Sequence, residues 1–396
     1  MPNLREGTRR SVKIVIVIDT YGQANGGTIA TVRLVDELKA RGHQISIVTT
    51  GEHEEDGFYE VPGFAPPGVK ESMKNMEFLL GWGKKDVYRE AFEGADLVQV
   101  QFPFMMARNA VKVARKMGVP VIGAFHVQPM NIIAAMGKES AILEKILFAL
   151  FNFWLFKQVD TIHCPSVFAA DMLRNHGIKA HLRVISNGIP EDFIPQKFPR
   201  PGWFGDRFVL MNVGRHAMEK RQELLIEGVL RSKYKDNIQL VLCGRGEMTA
   251  KLRQRGEALP VKPFIDYVSC EDKFAYLNTA DLFLHASVVE LESLSCLEAI
   301  GCGLPCLIGN SITSASSQFA QDERFIFESN NPDDLSDKID YWFENRSKLT
   351  EIKKSVLRMA EMYRFDRCID LMEAFYNDVL NHDLETDNII SWSNEH

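Results

Sequence analysis

The sequence predicts an α/β protein with two Rossmann-like domains, each built on a parallel sheet. Short runs rich in Val and Ile alternate with stretches of helical periodicity through most of the 396 residues, which indicates repeated strand–helix–strand units. These runs form two series, separated by a proline-rich break between Gly188 and Pro201. The chain is also longer than one hydrophobic core usually accommodates. Together these observations favour two domains.

Each series contains several predicted strands. In the first series they are Val12–Ile18, Ile45–Thr49, Leu97–Gln101, Val119–Phe125, Thr161–Cys164 and Leu182–Ile185. In the second series they are Phe208–Val213, Ile238–Cys243, Phe264–Val268, Leu282–His285 and Pro305–Ile308. Ligands of open parallel sheets bind at the carboxyl ends of the strands, so the residues that follow these runs are candidates for a site.

The break and the two series define the predicted domain boundaries. We assign residues 1–190 to an N-terminal domain, 191–206 to a linker and 207–365 to a C-terminal domain. The helical stretch 366–380 is expected to cross back to the N-terminal domain. The acidic, aperiodic residues 381–396 are expected to form a frayed tail.

Composition excludes several classes of protein. A net charge of −7 argues against bulk binding of nucleic acid. Seven cysteines without a short framework argue against a disulfide scaffold. Cys296, Cys302 and Cys306 have no His or fourth Cys nearby at zinc spacing, so we expect buried thiols and no metal.

The sequence offers no clear membrane-spanning or secretory segment. The apolar run after the basic N-terminus is too short for a signal-peptide core. The longest uncharged apolar run, Ile146–Phe156, is well below the roughly 20 residues that span a bilayer. We therefore expect a cytoplasmic protein.

Two glutamates are the most informative pair in the chain. Glu290 follows the predicted strand Leu282–His285, and Glu298 lies at the start of the next helical stretch. The loop between them places backbone N–H groups at a helix N-terminus, which suits an anionic ligand. The alternative is a pair of solvated helix carboxylates, because Glu is common at such positions.

Gly26 and Gly27 follow the first predicted strand and precede a helix. Glycine lets the backbone approach a phosphate at a helix N-terminus, although a plain strand-to-helix turn would use the same residues. The spacing is neither G-x-G-x-x-G nor G-x-x-x-x-G-K-[ST], so dinucleotide-binding and P-loop motifs are not indicated.

Arg215 and Lys220 follow the strand Phe208–Val213 and place two cations five residues apart. A guanidinium binds diphosphate oxygens in pairs and an ammonium adds a point charge, so the two would stabilise a departing nucleoside diphosphate. The alternative is a solvated pair, although cations at a helix start oppose its macrodipole. His126 ends a strand of the first series, where it would face a cleft or be an inert structural histidine.

In their order along the chain, these motifs resemble the retaining glycosyltransferases of family 4. The motifs are Gly26-Gly27, His126, Cys164-Pro165-Ser166, Ser186-Asn187-Gly188, Gly214-Arg215 with Glu219-Lys220, Gly244-Arg245-Gly246-Glu247, and the E-x7-E pair of Glu290 and Glu298. The resemblance covers roughly residues 12–380. It implies the GT-B fold, in which two Rossmann-like domains flank an interdomain cleft, with the acceptor on the N-terminal domain and the donor on the C-terminal domain.

The resemblance also implies a role for each matching residue. Glu298 would bind the ribose hydroxyls of the nucleotide, and Glu290 would face the donor sugar. Arg215 and Lys220 would bind the diphosphate. The remaining donor contacts would come from His126 to a sugar hydroxyl, from the backbone of Ser293 and Leu294 to the distal phosphate, and from Gly26, Gly27, Gly244 and Val268.

Two positions depart from the family pattern. Glu292-Ser293 stand where members often have Phe-Gly after the first glutamate. Asp266 stands where a glycine is common after the strand near Phe264, which leaves base contacts around Val268 undefined.

The acceptor is suggested by the first domain. The helical stretch 141–158 is rich in aromatic and aliphatic residues, and another helix has a basic face of Arg108, Lys112, Arg115 and Lys116. This combination suits an anionic membrane surface, but a core helix beside a solvated basic face fits as well. The stretches 125–129, 290–298 and 314–319 are similar to bacterial glycosyltransferases that act on diacylglycerol.

The leading interpretation is a retaining, metal-independent hexosyltransferase that uses UDP-glucose or UDP-galactose. Its acceptor would be a membrane lipid such as diacylglycerol or ceramide, and the product an α-glycolipid made at the inner face of the cell membrane. No cofactor is expected. The alternatives are a glycan or polysaccharide acceptor, a GT-B sugar-nucleotide epimerase, and a non-catalytic nucleotide- or carbohydrate-binding protein.

Overall fold

The computed structural model describes residues 11–22, 25–67, 70, 73, 78–136 and 140–384. The chain divides into two units. Unit 1 draws on residues within 1–127, 145–185 and 369–396, and unit 2 on residues within 128–144 and 186–368. The basic residues 1–10 and residues 385–396 of the expected tail lie outside the described residues.

Strands and helices alternate along the chain. The strands are β1 Lys13–Thr20, β2 Gln44–Thr50, β3 Phe58–Val61, β4 Gly63–Phe64, β5 Leu80–Gly81, β6 Leu97–Val100, β7 Val121–Ala124, β8 Thr161–Cys164, β9 His181–Val184, β10 Phe208–Val213, β11 Ile238–Cys243, β12 Phe264–Asp266, β13 Leu282–His285, β14 Cys306–Gly309 and β15 Ile326–Phe327. The helices are α1 Gly26–Ala40, α2 Lys85–Ala91, α3 Met105–Met117, α4 Pro129–Ala135, α5 Ala141–Trp154, α6 Val167–Asn175, α7 Gln222–Arg231, α8 Thr249–Gly256, α9 Cys270–Thr279, α10 Leu294–Gly301, α11 Pro332–Glu344, α12 Arg346–Met362 and α13 Phe365–Leu380.

Unit 1 is built on a seven-stranded parallel sheet in the order β3-β2-β1-β6-β7-β8-β9. The chain starts in the middle of this sheet and winds outwards in both directions, as in a Rossmann fold. β4 and β5 form a separate antiparallel pair. The backbone N–H of Gly81 on β5 donates to Asp19 Oδ1 at 2.8 Å, which fastens this pair to the end of β1.

The last helix, α13, belongs to unit 1 from residue 369 onwards. Tyr376 Oη donates to the buried Gln99 Oε1 at 2.5 Å, and Arg183 Nη2 lies 2.7 Å from Asp378 Oδ2. These contacts hold the helix against the β6 and β9 strands of the unit 1 sheet. The helix α13 begins at Phe365, one residue before the stretch 366–380 that was predicted to cross back to the N-terminal domain.

Unit 2 is built on a six-stranded parallel sheet in the order β12-β11-β10-β13-β14-β15. β11 and β13 are buried at every position, as expected for strands covered on both faces. Trp342 of α11 is fully buried and stacks on Phe325 with ring centroids 4.2 Å apart, and both rings belong to the hydrophobic core of this unit.

The two parallel sheets confirm the predicted fold class. Two edge strands, β3 and β15, were missed because they are only four and two residues long. The predicted strand Phe264–Val268 ends earlier, at Asp266. Asp266 Oδ1 accepts hydrogen bonds from the backbone N–H of Tyr267 at 2.7 Å and from Arg245 Nε at 2.9 Å, which turns the chain out of the sheet.

The segment after β7 differs from its predicted domain. Residues 128–144 were assigned to the N-terminal domain, but the described residues among them, 128–136 and 140–144, group with unit 2. Gln128 Nε2 donates to the carbonyl oxygen of Thr313 at 3.1 Å, which ties the start of α4 to the loop after β14. Of the helices in the described residues, none has the length and apolar character needed to cross a membrane.

Candidate functional site

In unit 2 the loops that follow β10 and β11 pack tightly against each other. Gly244 has a φ of +155°, and a Cβ there would lie 1.9 Å from the carbonyl oxygen of Gly214. Only glycine is therefore accommodated at this position. The Gly214 N–H donates to Cys243 O at 3.0 Å, so the contact holds Arg215 at the carboxyl end of β10.

Both predicted cations are paired with carboxylates. Arg215 Nη2 lies 2.6 Å from Glu219 Oε1, and its Nη1 lies 3.6 Å from Glu247 Oε2. Lys220 Nζ lies 2.5 Å from Glu290 Oε1. The structure thus brings together Lys220 and Glu290, which are 70 positions apart in the chain. Each cation is held in a fixed position and keeps further N–H groups with which to bind an anion.

The backbone around Glu290 is fixed by hydrogen bonds. Glu290 N donates to Thr313 O at 3.3 Å, and Ala315 N donates to Glu290 O at 2.9 Å. Val288 N donates to Glu219 O at 2.9 Å, so the segments that carry the two ion pairs are linked directly. Gln128 shares the acceptor Thr313 O with Glu290.

The helix after Glu290 begins as the sequence predicts. Ser293 is the N-cap of α10, and its hydroxyl accepts a hydrogen bond from Cys296 N at 3.3 Å. Within the described residues, the N–H groups of Leu294 and Ser295 have no protein acceptor. Backbone donors at a helix N-terminus are suited to a phosphate or another anion.

Glu298 lies in the same helix and is almost fully buried. Its Oε2 lies 3.1 Å from Lys273 Nζ on α9, which offsets the cost of burying the carboxylate. Lys273 Nζ also lies 4.8 Å from the centre of the Phe193 ring. The sequence did not indicate Lys273, because a single lysine in an amphipathic helix carries no distinguishing pattern.

Val268 is the least defined of the predicted donor contacts. It follows β12, beside Tyr267, which is 60% exposed. The side chain of Arg245 lies over the Tyr267 ring at 5.5 Å and binds Asp266. An exposed aromatic ring with an arginine beside it can stack on a planar group, so Tyr267 is a candidate that the sequence reading left undefined.

In unit 1 the structure brings together Gly27 and His126. A Cβ at Gly27 would lie 3.0 Å from Phe102 Cε1 and 3.1 Å from His126 Cβ, so a side chain would crowd both residues. Gly26 is the first residue of α1, and Asn25 caps this helix by accepting from Thr28 N at 3.0 Å. Gly27 therefore permits close packing between the α1 N-terminus and the residues that follow β7.

His126 packs against a second histidine, His163, with ring centroids 5.3 Å apart. Burial and the neighbouring His163 lower the pKa of His126 to about 3. Burial also lowers the pKa of His163 to about 4, and its Nε2 donates to Ile185 O at 2.7 Å. Both imidazoles are neutral near pH 7, so His126 can exchange hydrogen bonds with an uncharged hydroxyl. The sequence did not indicate His163, because this residue lies inside a predicted strand.

The three clustered cysteines are buried in unit 2. Cys296, Cys302 and Cys306 are each 0% exposed. In the part of the chain that the structure describes, no three His, Cys, Asp or Glu side chains come together as metal ligands.

Two protein-family models match the chain. "Glycosyltransferase Family 4" matches residues 24–193, and "Glycosyl transferases group 1" matches residues 193–358. The matches adjoin at residue 193, and together they include every predicted site residue.

The chain is also similar to individual proteins along much of its length. The alpha-monoglucosyldiacylglycerol synthase of Streptococcus pneumoniae is 25% identical over 317 residues, 75% of this chain and 70% of that protein. A GDP-mannose-dependent alpha-mannosyltransferase of Corynebacterium glutamicum is 25% identical over 320 residues, 75% of this chain and 72% of that protein. The crystal structure of Anabaena HepE with UDP and glucose is 14% identical with a TM-score of 0.70, covering 93% of this chain and 100% of that chain. The last similarity shows the fold alone.

Proposed function

This chain belongs to the family 4 glycosyltransferases of the GT-B fold, and on that premise we propose that it transfers a hexose from a nucleotide sugar to a membrane lipid, with retention of the anomeric configuration. The observation that carries the proposal is the ion pair between Lys220 and Glu290 at the carboxyl edge of the unit 2 sheet. Lys220 Nζ lies 2.5 Å from Glu290 Oε1. A cation held there suits a leaving phosphate, and a carboxylate suits a sugar hydroxyl.

In the proposed donor complex, each group of this site has a role that its chemistry supports. Arg215 and Lys220 bind the diphosphate, and the backbone N–H groups of Ser293 and Leu294, together with that of Ser295, receive its distal phosphate. Glu298, buried and oriented by Lys273, accepts hydrogen bonds from the ribose hydroxyls. His126 is neutral and contacts a hydroxyl of the donor sugar.

The proposed reaction needs no nucleophilic side chain. The bond between C1 of the sugar and the diphosphate oxygen breaks, and the acceptor oxygen bonds to C1 on the same face of the ring. The proton of the acceptor hydroxyl passes to the departing phosphate oxygen. Arg215 and Lys220 stabilise the negative charge that develops there, so the proposal requires no metal ion.

For the donor we propose UDP-glucose, with UDP-galactose as the alternative sugar. The relatives named as monoglucosyldiacylglycerol synthases, from Streptococcus pneumoniae and Acholeplasma laidlawii, support a glucosyl donor. The similarity to GDP-mannose-dependent enzymes makes GDP-mannose the donor to test against them.

A lipid acceptor is supported by the surface of unit 1. In the part of α5 that belongs to unit 1, Phe148 and Phe151 are buried, whereas Ile146 is 53% and Phe153 is 45% exposed. The helix is thus both a core element and an apolar surface, the two roles between which the sequence did not decide. Arg108 of α3 lies 3.9 Å from the centre of the Phe153 ring, which places a cation beside this apolar face. Such a surface suits an anionic membrane, and we propose peripheral binding to its inner face.

The acceptor is tested with purified protein, three donors and three lipid vesicles. UDP-glucose, UDP-galactose and GDP-mannose are each offered with vesicles containing diacylglycerol, ceramide or cholesterol. Mass spectrometry identifies the product, and NMR gives its anomeric configuration. We expect one donor to give an α-glycolipid, and the Glu290→Gln and Lys220→Ala variants to give none. A β-linked product would contradict retention.

Membrane binding is tested by co-sedimentation with anionic and neutral vesicles. We expect the wild-type protein to sediment with anionic vesicles and the Ile146→Gln/Phe153→Gln variant to bind several-fold more weakly. Ile194→Gln, at an exposed isoleucine of unit 2, is the matched control and should bind as the wild type does. Binding unaffected by the double substitution would contradict the role of this surface.

The alternatives give different results in these assays. An enzyme with a soluble glycan acceptor would remain in the supernatant with both kinds of vesicle. A sugar-nucleotide epimerase would change the sugar of its donor without any acceptor, whereas a transferase would show at most slow donor hydrolysis.

A further inference from the structure

A third glutamate, Glu292, lies between the two signature glutamates, at one of the positions where the sequence departs from the family pattern. Its side chain is 8% exposed. Unlike Glu290 and Glu298, it forms no ion pair with a Lys, Arg or His of the described residues. Burying a carboxyl group without a cation partner costs free energy, which hydrogen bonds to the carboxyl oxygens must offset.

The hydrogen bonds of Glu292 are directed to two neighbouring residues, Ser186 and Asn187. Glu292 Oε2 accepts a hydrogen bond from the backbone N–H of Asn187 at 2.9 Å and a second from Asn187 Nδ2 at 2.8 Å. The other oxygen, Oε1, is buried and accepts no hydrogen bond from the described residues. One carboxyl oxygen thus holds both the backbone and the side chain of Asn187.

Asn187 belongs to a segment that is itself fastened within unit 2. Ile189 N donates to Tyr363 O at 2.6 Å, and Phe365 N donates to Ile189 O at 3.0 Å. Gly188 has a φ of +78°, and a Cβ there would lie 2.9 Å from Phe365 Cα. The segment therefore leaves Asn187 little freedom to follow a displaced loop.

The same segment also packs against the far end of the helix that carries Glu298. A Cβ at Gly301, the last residue of α10, would lie 2.6 Å from Ile189 Cγ2 and 2.7 Å from Phe193 O. α10 is consequently held at both ends: by Glu292 just before its N-cap, and by Ile189 and Phe193 at its C-terminus.

We propose that Glu292 is a positioning residue that, through Asn187, fastens the Glu290–Ser293 loop to the segment Ser186–Ile189 and so holds Glu290 and the α10 N-terminus in place for the donor. This inference rests on the proposed function, because the donor contacts of that loop do.

The contact should depend on pH. Burial, opposed by hydrogen bonds from Ser186 and Asn187, raises the pKa of Glu292 from 4.5 to about 7. The titratable groups facing it are Tyr363 and Cys368, and burial raises the pKa of both, that of Cys368 to about 12. Both stay neutral between pH 6 and pH 8, so Glu292 is the group that changes charge in this range.

Because the pKa of Glu292 is higher in the folded protein than in the unfolded chain, its contribution to stability decreases as the pH rises. The folded protein keeps the proton on Glu292 up to about pH 7, whereas the unfolded chain releases it near 4.5. The stability that this group contributes is therefore present at low pH and is lost as the pH rises through about 7. Above that pH, the buried charge without a cation partner favours movement of the loop, and donor turnover should fall.

The test compares Glu292→Gln, Glu292→Ala and Asn187→Ala with the wild type, measuring kcat and KM for the nucleotide sugar from pH 5.5 to 8.5. At pH 6 we expect Glu292→Gln to stay within about threefold of the wild type, because its amide oxygen still accepts from Asn187. Glu292→Ala and Asn187→Ala should each lose about tenfold in kcat/KM, the scale of one or two lost hydrogen bonds. The double alanine variant should lose no more than Glu292→Ala alone, because Asn187→Ala removes a contact that Glu292→Ala has already removed.

The pH profile separates positioning from a general loss of stability. The wild type should decline above about pH 7, and Glu292→Gln should lack this decline. Glu191→Gln, at an exposed carboxylate two residues after the Ser186–Ile189 segment, is the matched control and should keep the wild-type profile. The proposal is overturned if Glu292→Gln shows the wild-type decline. It is also overturned if Asn187→Ala, whose fold is checked by its thermal unfolding, stays within twofold of the wild type.

Failure of this inference is distinguishable from failure of the proposed function. If the wild type glycosylates none of the lipids, the proposed function fails, and the variants are compared by their dissociation constants for UDP. An unchanged constant in both Glu292→Ala and Asn187→Ala would then contradict the positioning role itself.

Discussion

The carboxyl edges of the two sheets carry opposite kinds of chemistry. At the unit 2 edge, Arg215, Lys220 and Lys273 are each paired with a glutamate. At the unit 1 edge, the described side chains next to Gly27 are the apolar Phe102, the polar but uncharged Asn25 and the neutral His126. The same sheet architecture therefore presents a charged surface in one unit and an uncharged one in the other.

This difference matches the two parts of the proposed substrate. A nucleoside diphosphate carries negative charge that grows as it leaves, and preorganised cations stabilise that change without reorganisation. A sugar hydroxyl is uncharged and is best met by neutral hydrogen-bonding groups. The fold therefore supplies only the edge of the sheet, and the loop residues decide which ligand binds there.

The largest expected effect comes from removing a cation of the unit 2 edge. Arg215→Ala should lower kcat/KM for the nucleotide sugar by about a hundredfold, the scale of losing one preorganised donor to developing charge. Steady-state kinetics with lipid vesicles measure it. Arg358→Ala, at an exposed arginine of unit 2, is the control and should leave kinetics unchanged. A loss below threefold for Arg215→Ala would remove the distinction between the two edges.

The sequence predicted the strands that carry this edge more readily than the partners of its side chains. The β10, β11 and β13 runs are apolar except for one polar residue in each, and their predicted bounds agree with the structure residue for residue. The sequence indicated Arg215, Lys220 and Glu290 because each lies in the loop that follows a predicted strand. Glu219 and Lys273 were missed as partners, because which carboxylate meets which cation depends on how separate loops pack.

Replacing the neutral histidine of the unit 1 edge should have a smaller effect. His126→Ala should lower kcat/KM by about tenfold, as expected for the loss of one or two hydrogen bonds between uncharged groups. Because burial lowers the pKa of His126 to about 3, the wild-type pH profile between pH 5 and 8 should not contain a step from this residue. His126→Gln retains both a donor and an acceptor and should recover part of the activity. A His126→Gln variant whose pH profile loses a step near pH 6.5 would show that the imidazole is charged.

The interior of unit 1 limits prediction from sequence in another way. His163 and Gln99 lie within strand patterns that read as ordinary buried segments, yet one contacts His126 and the other holds Tyr376 of the last helix. A polar residue on the buried face of a strand signals that a partner exists. The partner is set by the tertiary packing of distant segments, as the 277 positions between Gln99 and Tyr376 illustrate.

A modest effect on stability should come from Asp19, at the end of β1. Burial, opposed by hydrogen bonds from Gly81 N and from its own backbone N–H, raises the pKa of Asp19 from 3.8 to about 7. Its stabilising contribution is present at low pH and is lost as the pH rises through about 7. Asp19→Asn keeps an oxygen that accepts from Gly81 N, so it should raise the unfolding temperature by a few degrees at pH 8 and by little at pH 5, as measured by calorimetry. Asp86→Asn, at an exposed carboxylate, should show no such pH dependence, and an Asp19→Asn variant that is less stable at pH 8 would contradict a neutral unit 1 edge.

The smallest expected effect is that of removing divalent cations. In enzymes that use Mg²⁺ to stabilise a departing nucleoside diphosphate, the metal neutralises the phosphate oxygens of the leaving group. Here Arg215 and Lys220 supply two positive charges at the proposed position of the diphosphate, and Glu219, Glu247 and Glu290 hold them there. Transfer should therefore proceed in EDTA at nearly the rate found in Mg²⁺, and Lys220→Ala should not be rescued by added Mg²⁺. Loss of activity in EDTA with recovery in Mg²⁺ would mean that the carboxylates of the unit 2 edge bind a metal during the reaction rather than orient the cations.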